Sequence, residues 1–407
     1  VARVPHEFDV VVVGGGVVGC SIARALAGRT GRLRVALVEK ESTLAAHTSG
    51  RNSGVIHSGF HLKPGTLRAR LCVAGARRLK RYCRERSIPL LESGTLLLAT
   101  SERDIPILRT LEERGRANTV TTRWVEAREI RGIEPYAAGL AGLHAPEDAI
   151  LDPKVYVATL AREAVARGVS LILATRVVDI RGDGPLTITT NRGLISAKFL
   201  INCAGAHSLK IARLMGLGHN YTMVPFRGEY YELPEKYGFL VRSAVYPAPD
   251  LRLPFLGVHL TKTTDGRVLV GPNAVPAFGP ENYSWSQTRP GQVLSLLASR
   301  AGGQLMAKAS NITFAFREML CSLSKTLTIQ RARRLVPHLR PWMAEKGFSG
   351  VRPQLVDRWG RLVDDLVLVQ GETSLHILNA ISPALTASLE LADYVVDLLT
   401  AGGFVGG

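Results

Sequence analysis

The spacing of apolar and polar positions changes several times along the chain, and each change marks an element. Val10 to Val13 form an unbroken apolar run, the signature of a strand buried on both faces. A glycine-rich turn follows, then a helix of small residues, then a second strand ending in Glu39. Further on, Val169–Ala174 reads as a strand, and Thr175–Ile180 pairs with Leu186–Thr190 as a hairpin. Ala197–Ala206 is a buried strand closing on a glycine turn, expected beside the Gly14 turn at the carboxyl edge of one parallel sheet. Residues 90–150 mix strand and helix. Gly228–Leu233, Phe255–Thr261 and Val268–Val270 are short β runs, and residues 290–340 are mainly helical. Ser382–Thr400 has the pattern of an amphipathic helix, with Ser382 as N-cap and Pro383 as its first residue.

The glycine turn carries the first chemistry. Gly14, Gly16 and Gly19 stand between strand and helix, with an acid, Glu39, twenty residues past the last of them. This is the context of a dinucleotide-binding βαβ unit. Gly14 permits the tight turn, Gly16 admits a pyrophosphate close to the backbone, and Gly19 lets the helix approach the strand. The free N–H groups at the helix start, around Val17 and Val18, then face phosphate. Glu39 suits two ribose hydroxyls and repels a 2′-phosphate, so FAD or NAD is expected over NADP.

The order of elements predicts an α/β chain with a Rossmann-like nucleotide domain assembled from residues 1–89, 151–222 and 341–407. An α+β substrate domain on a mainly antiparallel sheet is inserted as residues 90–150 and 223–340. A length of 407 residues suits two such domains, and 46% hydrophobic content excludes a disordered chain.

Charge adds a question about partners. The net charge is +17, with basic residues gathered in Arg68–Arg86 and Arg331–Arg340. These runs lack interleaved aromatics and no RNA module accompanies them, so no nucleic-acid partner is expected. A solvated face explains them, and a peripheral contact with the inner face of a membrane is the other reading. No run of about 18 uncharged apolar residues spans a bilayer. The first strand begins so early that no leader peptide is expected, which makes a cytoplasmic location the simplest one. The five cysteines are scattered without CxxC spacing, which argues against structural zinc and iron–sulfur clusters.

Several separated motifs, in order from about Phe8 to Leu398, carry a resemblance. They are His47–Gly59 (HTSGRNSGVIHSG), Lys63-Pro64-Gly65, Val224–Tyr231 (VPFRGEYY), Pro254–His259 (PFLGVH), Gly271–Val275 (GPNAV), Gly350-Val351-Arg352 and Asn379–Ser388. With these, the chain resembles the glutathione-reductase-type flavoproteins of the D-amino-acid oxidase superfamily, and within it the L-2-hydroxyglutarate dehydrogenase/oxidase family. Two positions depart from the family pattern. Phe60-His61-Leu62 stands where an aromatic pair is usual, and Leu385 where a smaller residue is common.

The resemblance implies FAD as cofactor and a dicarboxylic 2-hydroxy acid as substrate. It takes the segment with Ser49, Arg51, Asn52, Ser53 and Gly54 past the pyrophosphate and the flavin ring, and adds Lys40 beside Glu39. It sets Val177 against the adenine, Ala204 and Gly205 beneath the adenosine, and Pro383, Ala384, Leu385 and Thr386 at the pyrimidine end of the ring. Oxidising an alcohol calls for a base near neutral pH, which points to histidine. His57 and His259 both lie in family motifs. Arg352 resembles the carboxylate-clamping arginine of the superfamily, with Lys63 and Arg227 as further cationic anchors. No second redox centre is apparent, so electrons leave to oxygen, a quinone or a soluble carrier. The stretch with Phe314, Phe316, Met319 and Leu323, followed by Arg331, Arg333 and Arg334, offers either ordinary packing or a membrane-facing surface that reaches quinone. The rivals are an amine, amino-acid or glycerol-3-phosphate oxidase of the same superfamily and, more remotely, an FAD-containing RNA-modifying protein.

Overall fold

Strand β1 (His6–Val13) lies between β2 (Val35–Val38) and β3 (Gly193–Asn202), parallel to both. The computed structural model describes residues 6–30, 33–182, 184–251, 256–299, 303–304 and 309–404. Ser170–Ile172 extends the parallel sheet beyond β2, and Ser374–Ile377 extends it beyond β3. The near end of β3 turns into an antiparallel meander with Leu186–Thr190 and Val177–Arg181. The strand expected over Val169–Ala174 is confined to Ser170–Ile172, because Ala174 adopts a positive φ of 51° that ends it.

The valine run is buried because each face of the sheet is covered. Val10 and Val12 join a core with helix α1 (Val17–Thr30), whereas Val11 and Val13 pack under the meander with Ile180, Leu186 and Ile188. Alternate side chains of a strand point to opposite faces, so only an unbroken apolar run satisfies both.

The second large sheet is mainly antiparallel, with nine strands among the described residues. Its spine is β4 (Tyr221–Leu233) paired with β5 (Glu345–Asp357), from Tyr221 opposite Asp357 to Glu232 opposite Glu345. Residues 345–357, read from sequence as part of the nucleotide domain, therefore build this sheet. The parallel sheet resumes only with Leu368–Gln370 and Ser374–Ile377. The β run expected over Phe255–Thr261 starts at His259. Gly257, with φ +76°, breaks it before that point, and Pro254 and Phe255 lie outside the described residues.

A third ladder is small but matters for the site. Val55–Ile56 pairs antiparallel with Ala149–Leu151, which also pairs with Leu90–Leu91. Helix α2 (Leu67–Glu85), capped by Thr66 accepting from Ala69 N, buries Leu71, Cys72, Ala76, Leu79 and Cys83. The C-terminal helix α3 (Ala384–Ala401) packs against α1 and α2. It begins one residue later than its sequence suggests: Pro383, at φ −99° and ψ 50°, is outside the helix, and no side chain caps it. The first turn closes instead on the Pro383 carbonyl, which accepts from Ala387 N at 3.0 Å.

Of the basic run 68–86, Arg68, Arg78, Arg84 and Arg86 each meet a carboxylate: Asp364, Asp393, Glu92 and Glu163. Much of that charge is thus spent on holding segments together. The five cysteines are free thiols. No helix among the described residues is long and apolar enough to cross a membrane.

Candidate active site

At the carboxyl edge of the parallel sheet three turns converge. Gly14 has φ +112°, and a Cβ there would lie 2.5 Å from the Cys203 carbonyl; only glycine lets the first turn sit on the one holding Ala204 and Gly205. Asn202 Oδ1 accepts from Ala204 N at 3.1 Å and fixes that second turn. The third turn brings Ser49, whose Oγ accepts from Val17 N at 2.9 Å at the start of α1. Glu39 Oε2 accepts from Gly15 N at 2.6 Å and Oε1 from Glu41 N at 2.8 Å. These bonds clamp the carboxylate at the end of β2 and leave lone pairs for hydroxyls.

From this edge a cavity of about 290 Å³ runs toward the second sheet. Gly16, Val17, Val18, Ser49 and Gly205 line it at this edge, and Arg51, Asn52 and Ser53 line it further along, where Arg51 Nη1 donates to the Ser349 carbonyl at 3.3 Å. His57, His259, Arg227 and Arg352 line the far end. Pro383, Ala384 and Leu385, at the start of α3, lie along it as well. A pyrophosphate group fits the first end: the backbone between Gly16 and Ser49 is a cradle that a Cβ on Gly16, 2.8 Å from Ser49 Oγ, would fill.

The far end is built by strands. In the β4–β5 ribbon, Phe226 faces Arg352 and the next pair is Arg227 with Val351. Arg227 is fully buried; its Nε donates to Glu229 at 2.9 Å, its guanidinium lies 4.5 Å from the Trp285 ring centre, and its Nη2 makes no hydrogen bond among the described residues. Burial, then the Arg68 charge, lowers the Arg352 pKa to about 10, so it remains a cation. His259 Nδ1 meets the Gly257 carbonyl at 2.8 Å. A carbonyl only accepts, so Nδ1 carries the hydrogen and Nε2 has a free lone pair. The ring stacks on Tyr246 at 4.0 Å, and burial lowers its pKa to about 4.

His57 follows the Val55–Ile56 strand. Its backbone N–H donates to Thr386 Oγ1 at 3.1 Å, its carbonyl accepts from the Cys72 thiol at 3.2 Å, and its Nδ1 is 3.8 Å from Asp148 Oδ2. His61, one of the two departures from the resemblance, packs edge-on to the His57 ring at 5.1 Å.

The description "FAD dependent oxidoreductase" fits a family model matching residues 9–398. The chain belongs to this FAD-dependent oxidoreductase family. It is 37% identical to an L-2-hydroxyglutarate dehydrogenase of Indibacter alkaliphilus, covering 96% of this chain and 98% of that protein. It is 35% identical to the enzymes of that name from Escherichia coli K12 and, in mitochondria, Homo sapiens, each over 96% of this chain and over 92% and 88% of theirs. Among solved structures, L-α-glycerophosphate oxidase of Mycoplasma pneumoniae with FAD bound has a TM-score of 0.80 at 25% identity, covering 97% of this chain and 95% of that one. Glycine oxidase of Geobacillus kaustophilus shares the fold, with a TM-score of 0.74 at 22% identity over 97% and 95% of the two chains. FAD is the cofactor of the family, and the described turns suit its phosphates.

Several residues singled out in the sequence stand away from the cavity of this FAD-dependent oxidoreductase. Lys63 is exposed on the turn before α2 and does not line it. Gly54 is small for another reason than room for a ring: a Cβ there would meet the Leu151 carbonyl at 2.1 Å. Thr386 spends its hydroxyl on His57, and Val177 sits in the meander, close behind Thr175, whose N–H donates to the Glu39 carbonyl at 2.8 Å. Lys40 joins Glu41, Glu281 and His47 in a cluster beside the cofactor edge. Two residues were not found by sequence reasoning. Arg68 hides in a basic run yet is buried and electrostatically felt by Arg352. Asp148 lies in no motif and is only 1% exposed.

Proposed function

We propose that the chain oxidises L-2-hydroxyglutarate to 2-oxoglutarate. The observation that carries this reading is a cavity lined by the Arg352 cation together with His57 and His259. A guanidinium suits a carboxylate, and a histidine suits an alcohol proton. The names of its relatives support the same substrate. FAD, when bound, supplies the two-electron acceptor for the hydride on C2. Arg352 grips the carboxylate next to C2, while Arg227, fully buried on the opposite face of the ribbon against Glu229 and Trp285, braces the wall that carries it. His57 Nε2 takes the hydroxyl proton. His259 is the poorer base because burial keeps it neutral to about pH 4, and its free Nε2 accepts a hydrogen bond that orients the substrate. Gly16, Val17, Val18, Ser49 and Gly205, with Pro383 to Leu385 along the cavity, would hold the cofactor. Anaerobic addition of L-2-hydroxyglutarate, sarcosine, glycine and glycerol 3-phosphate in turn tests the reading. L-2-hydroxyglutarate should bleach the flavin fastest, and faster bleaching by an amine or by glycerol 3-phosphate overturns the assignment.

A peripheral membrane contact belongs to the same proposal. The helix Ala309–Leu323 turns Glu318 into the cavity wall while exposing Phe316, Met319, Leu320 and Leu323 on its outer side. Arg317, Arg333 and Arg334 are exposed nearby in sequence. The Phe314 side chain lies outside the described part. An apolar stripe with basic neighbours suits an anionic leaflet, and this favours a quinone over a soluble electron acceptor.

A further inference from the structure

We propose that Asp148 is a positioning residue for His57, holding the imidazole with its proton on Nδ1 so that Nε2 faces the cavity as the free base. The proposal rests on the reading of His57 as the base given above.

Register brings the two together. Ile56 faces Ala149 in the short ladder, so the next residue on one strand and the preceding residue on the other, His57 and Asp148, emerge opposite each other. Asp148 is buried, and its two oxygens have different duties. Oδ1 accepts the Ser58 N–H at 2.6 Å. Oδ2 makes no hydrogen bond among the described residues and stands 3.8 Å from His57 Nδ1. A buried carboxylate oxygen left without a proton donor is costly. A small rotation of the imidazole closes this gap, while the backbone of His57 stays held by Thr386 and Cys72.

The charge balance supports the same assignment. Burial alone would raise the Asp148 pKa, but the interactions with His57 and Ser58 hold it below the usual carboxylate value, so it is ionised. His61 contributes no charge to offset it, because burial, followed by the His57 charge, pushes the His61 pKa well down. The carboxylate therefore acts on His57. In the reaction the substrate O–H bond breaks and its proton goes to His57 Nε2. FAD, when bound, would accept the C2 hydride as the O–C2 bond becomes a carbonyl. Asp148 takes no proton; it stabilises the imidazolium formed beside it. Among the described residues His259 has only the Gly257 carbonyl in the equivalent place, which is why the two histidines are not interchangeable.

Asp148→Asn tests this with little change in shape. The Ser58 N–H should keep the amide oxygen, which turns the amide NH₂ toward His57 Nδ1. An NH₂ donates, so the imidazole must accept at Nδ1 and carry its proton on Nε2, the wrong tautomer for a base. Ring ¹⁵N shifts of the holoenzyme, with His57 assigned by its loss in His57→Gln, should show Nδ1–H in the wild type and Nε2–H in the variant. Flavin reduction by the substrate should slow by roughly 10²–10⁴-fold, with KM and FAD content little changed. A variant that reduces flavin at the wild-type rate overturns the proposal, and so does a wild-type His57 bearing its proton on Nε2. The second measurement needs no Asp148 variant and stands even if Asp148→Asn fails to fold. If His57→Gln is slow and Asp148→Asn is fast, Asp148 loses its role and His57 keeps its own. If His57→Gln reduces at the wild-type rate, the base assignment itself falls.

Discussion

Thr386 Oγ1 accepts the backbone N–H of His57 at 3.1 Å, a bond between residues 329 positions apart. The first turn of the C-terminal helix thereby sets where the cavity histidine stands. Both residues are buried, so water cannot replace the bond.

Thr386→Val keeps the shape of the side chain and removes the acceptor. A buried N–H left unpaired costs about 1–3 kcal/mol. The variant should lose that much stability in urea unfolding and should reduce flavin more slowly at unchanged FAD content. Wild-type values for both would mean that the bond does not position His57.

Gly19→Ala addresses the nucleotide end. A Cβ on Gly19 would lie 1.9 Å from the Gly14 carbonyl oxygen, which is backbone and cannot swing aside. Helix α1 must then part from β1, and the phosphate cradle opens with it. The purified variant should be pale or colourless, with a lowered Tm. Gly132→Ala is the control, since nothing lies within 4 Å of a Cβ there. A yellow, fully stable Gly19→Ala protein would show that this contact does not shape the site.

The nucleotide end was legible in the sequence because its signals are local: the valine run, three glycines and Glu39 fall within one βαβ unit, where spacing alone dictates geometry. The β4–β5 ribbon was only half legible. Its residues were flagged by resemblance, but residues 345–357 were given to the other domain, because strand pairing across more than a hundred residues leaves no periodic trace. Asp148 was invisible for the same reason. It faces His57 through a ladder whose first strand is two residues long, too short for any pattern. Lys63 shows the opposite error, for nearness to a motif in sequence did not carry its side chain into the cavity. Pro383 read as a first helical residue, yet the α3 start is set by the loop that lines the cavity.

Two buried histidines give stability a defined pH window. Burial lowers His259 to about 4, and burial likewise lowers His376 to about 4. Asn202 Nδ2 meets His376 Nδ1 at 2.9 Å and Ser374 Oγ lies 2.9 Å from Nε2, an arrangement that suits the neutral ring. In the unfolded chain both take up a proton below about pH 6.5, whereas the folded chain resists until about pH 4. The unfolded state thus binds more protons in that interval, and stability falls as pH drops from about 6.5 to 4, by on the order of 3 kcal/mol per histidine. Urea midpoints across this range should fall with decreasing pH, and His376→Gln should flatten the slope. A midpoint independent of pH between 6.5 and 4 would contradict the assignment.

Arg352→Lys separates charge from geometry. Lysine keeps the cation but cannot grip a carboxylate with two parallel bonds. Loss of the clamp should cost about 2–4 kcal/mol of transition-state stabilisation, roughly 30- to 1000-fold in kcat/KM, with FAD still bound. Arg227→Lys should mainly lower stability, because the fully buried guanidinium is held by Glu229 and Trp285. Wild-type kcat/KM in Arg352→Lys would remove Arg352 from the substrate clamp.

The outward stripe of the helix Ala309–Leu323 makes the membrane reading testable without touching the cavity. Phe316 is 60% and Leu323 71% exposed, and burying such side chains in the interfacial layer contributes about 1–2 kcal/mol each. Exposed arginines beside an anionic surface add about 1 kcal/mol apiece, screened by salt. The protein should therefore co-sediment with vesicles rich in phosphatidylglycerol at low ionic strength, and much less with purely zwitterionic vesicles. Phe316→Ser combined with Leu323→Ser should weaken that binding by about tenfold or more while leaving FAD content and turnover with a soluble dye unchanged. With a short-chain quinone presented in the same vesicles, turnover should fall in parallel with binding. A wild-type protein that stays in the supernatant with anionic vesicles would refute the contact, and the stripe would then have no role in delivering electrons to a membrane acceptor.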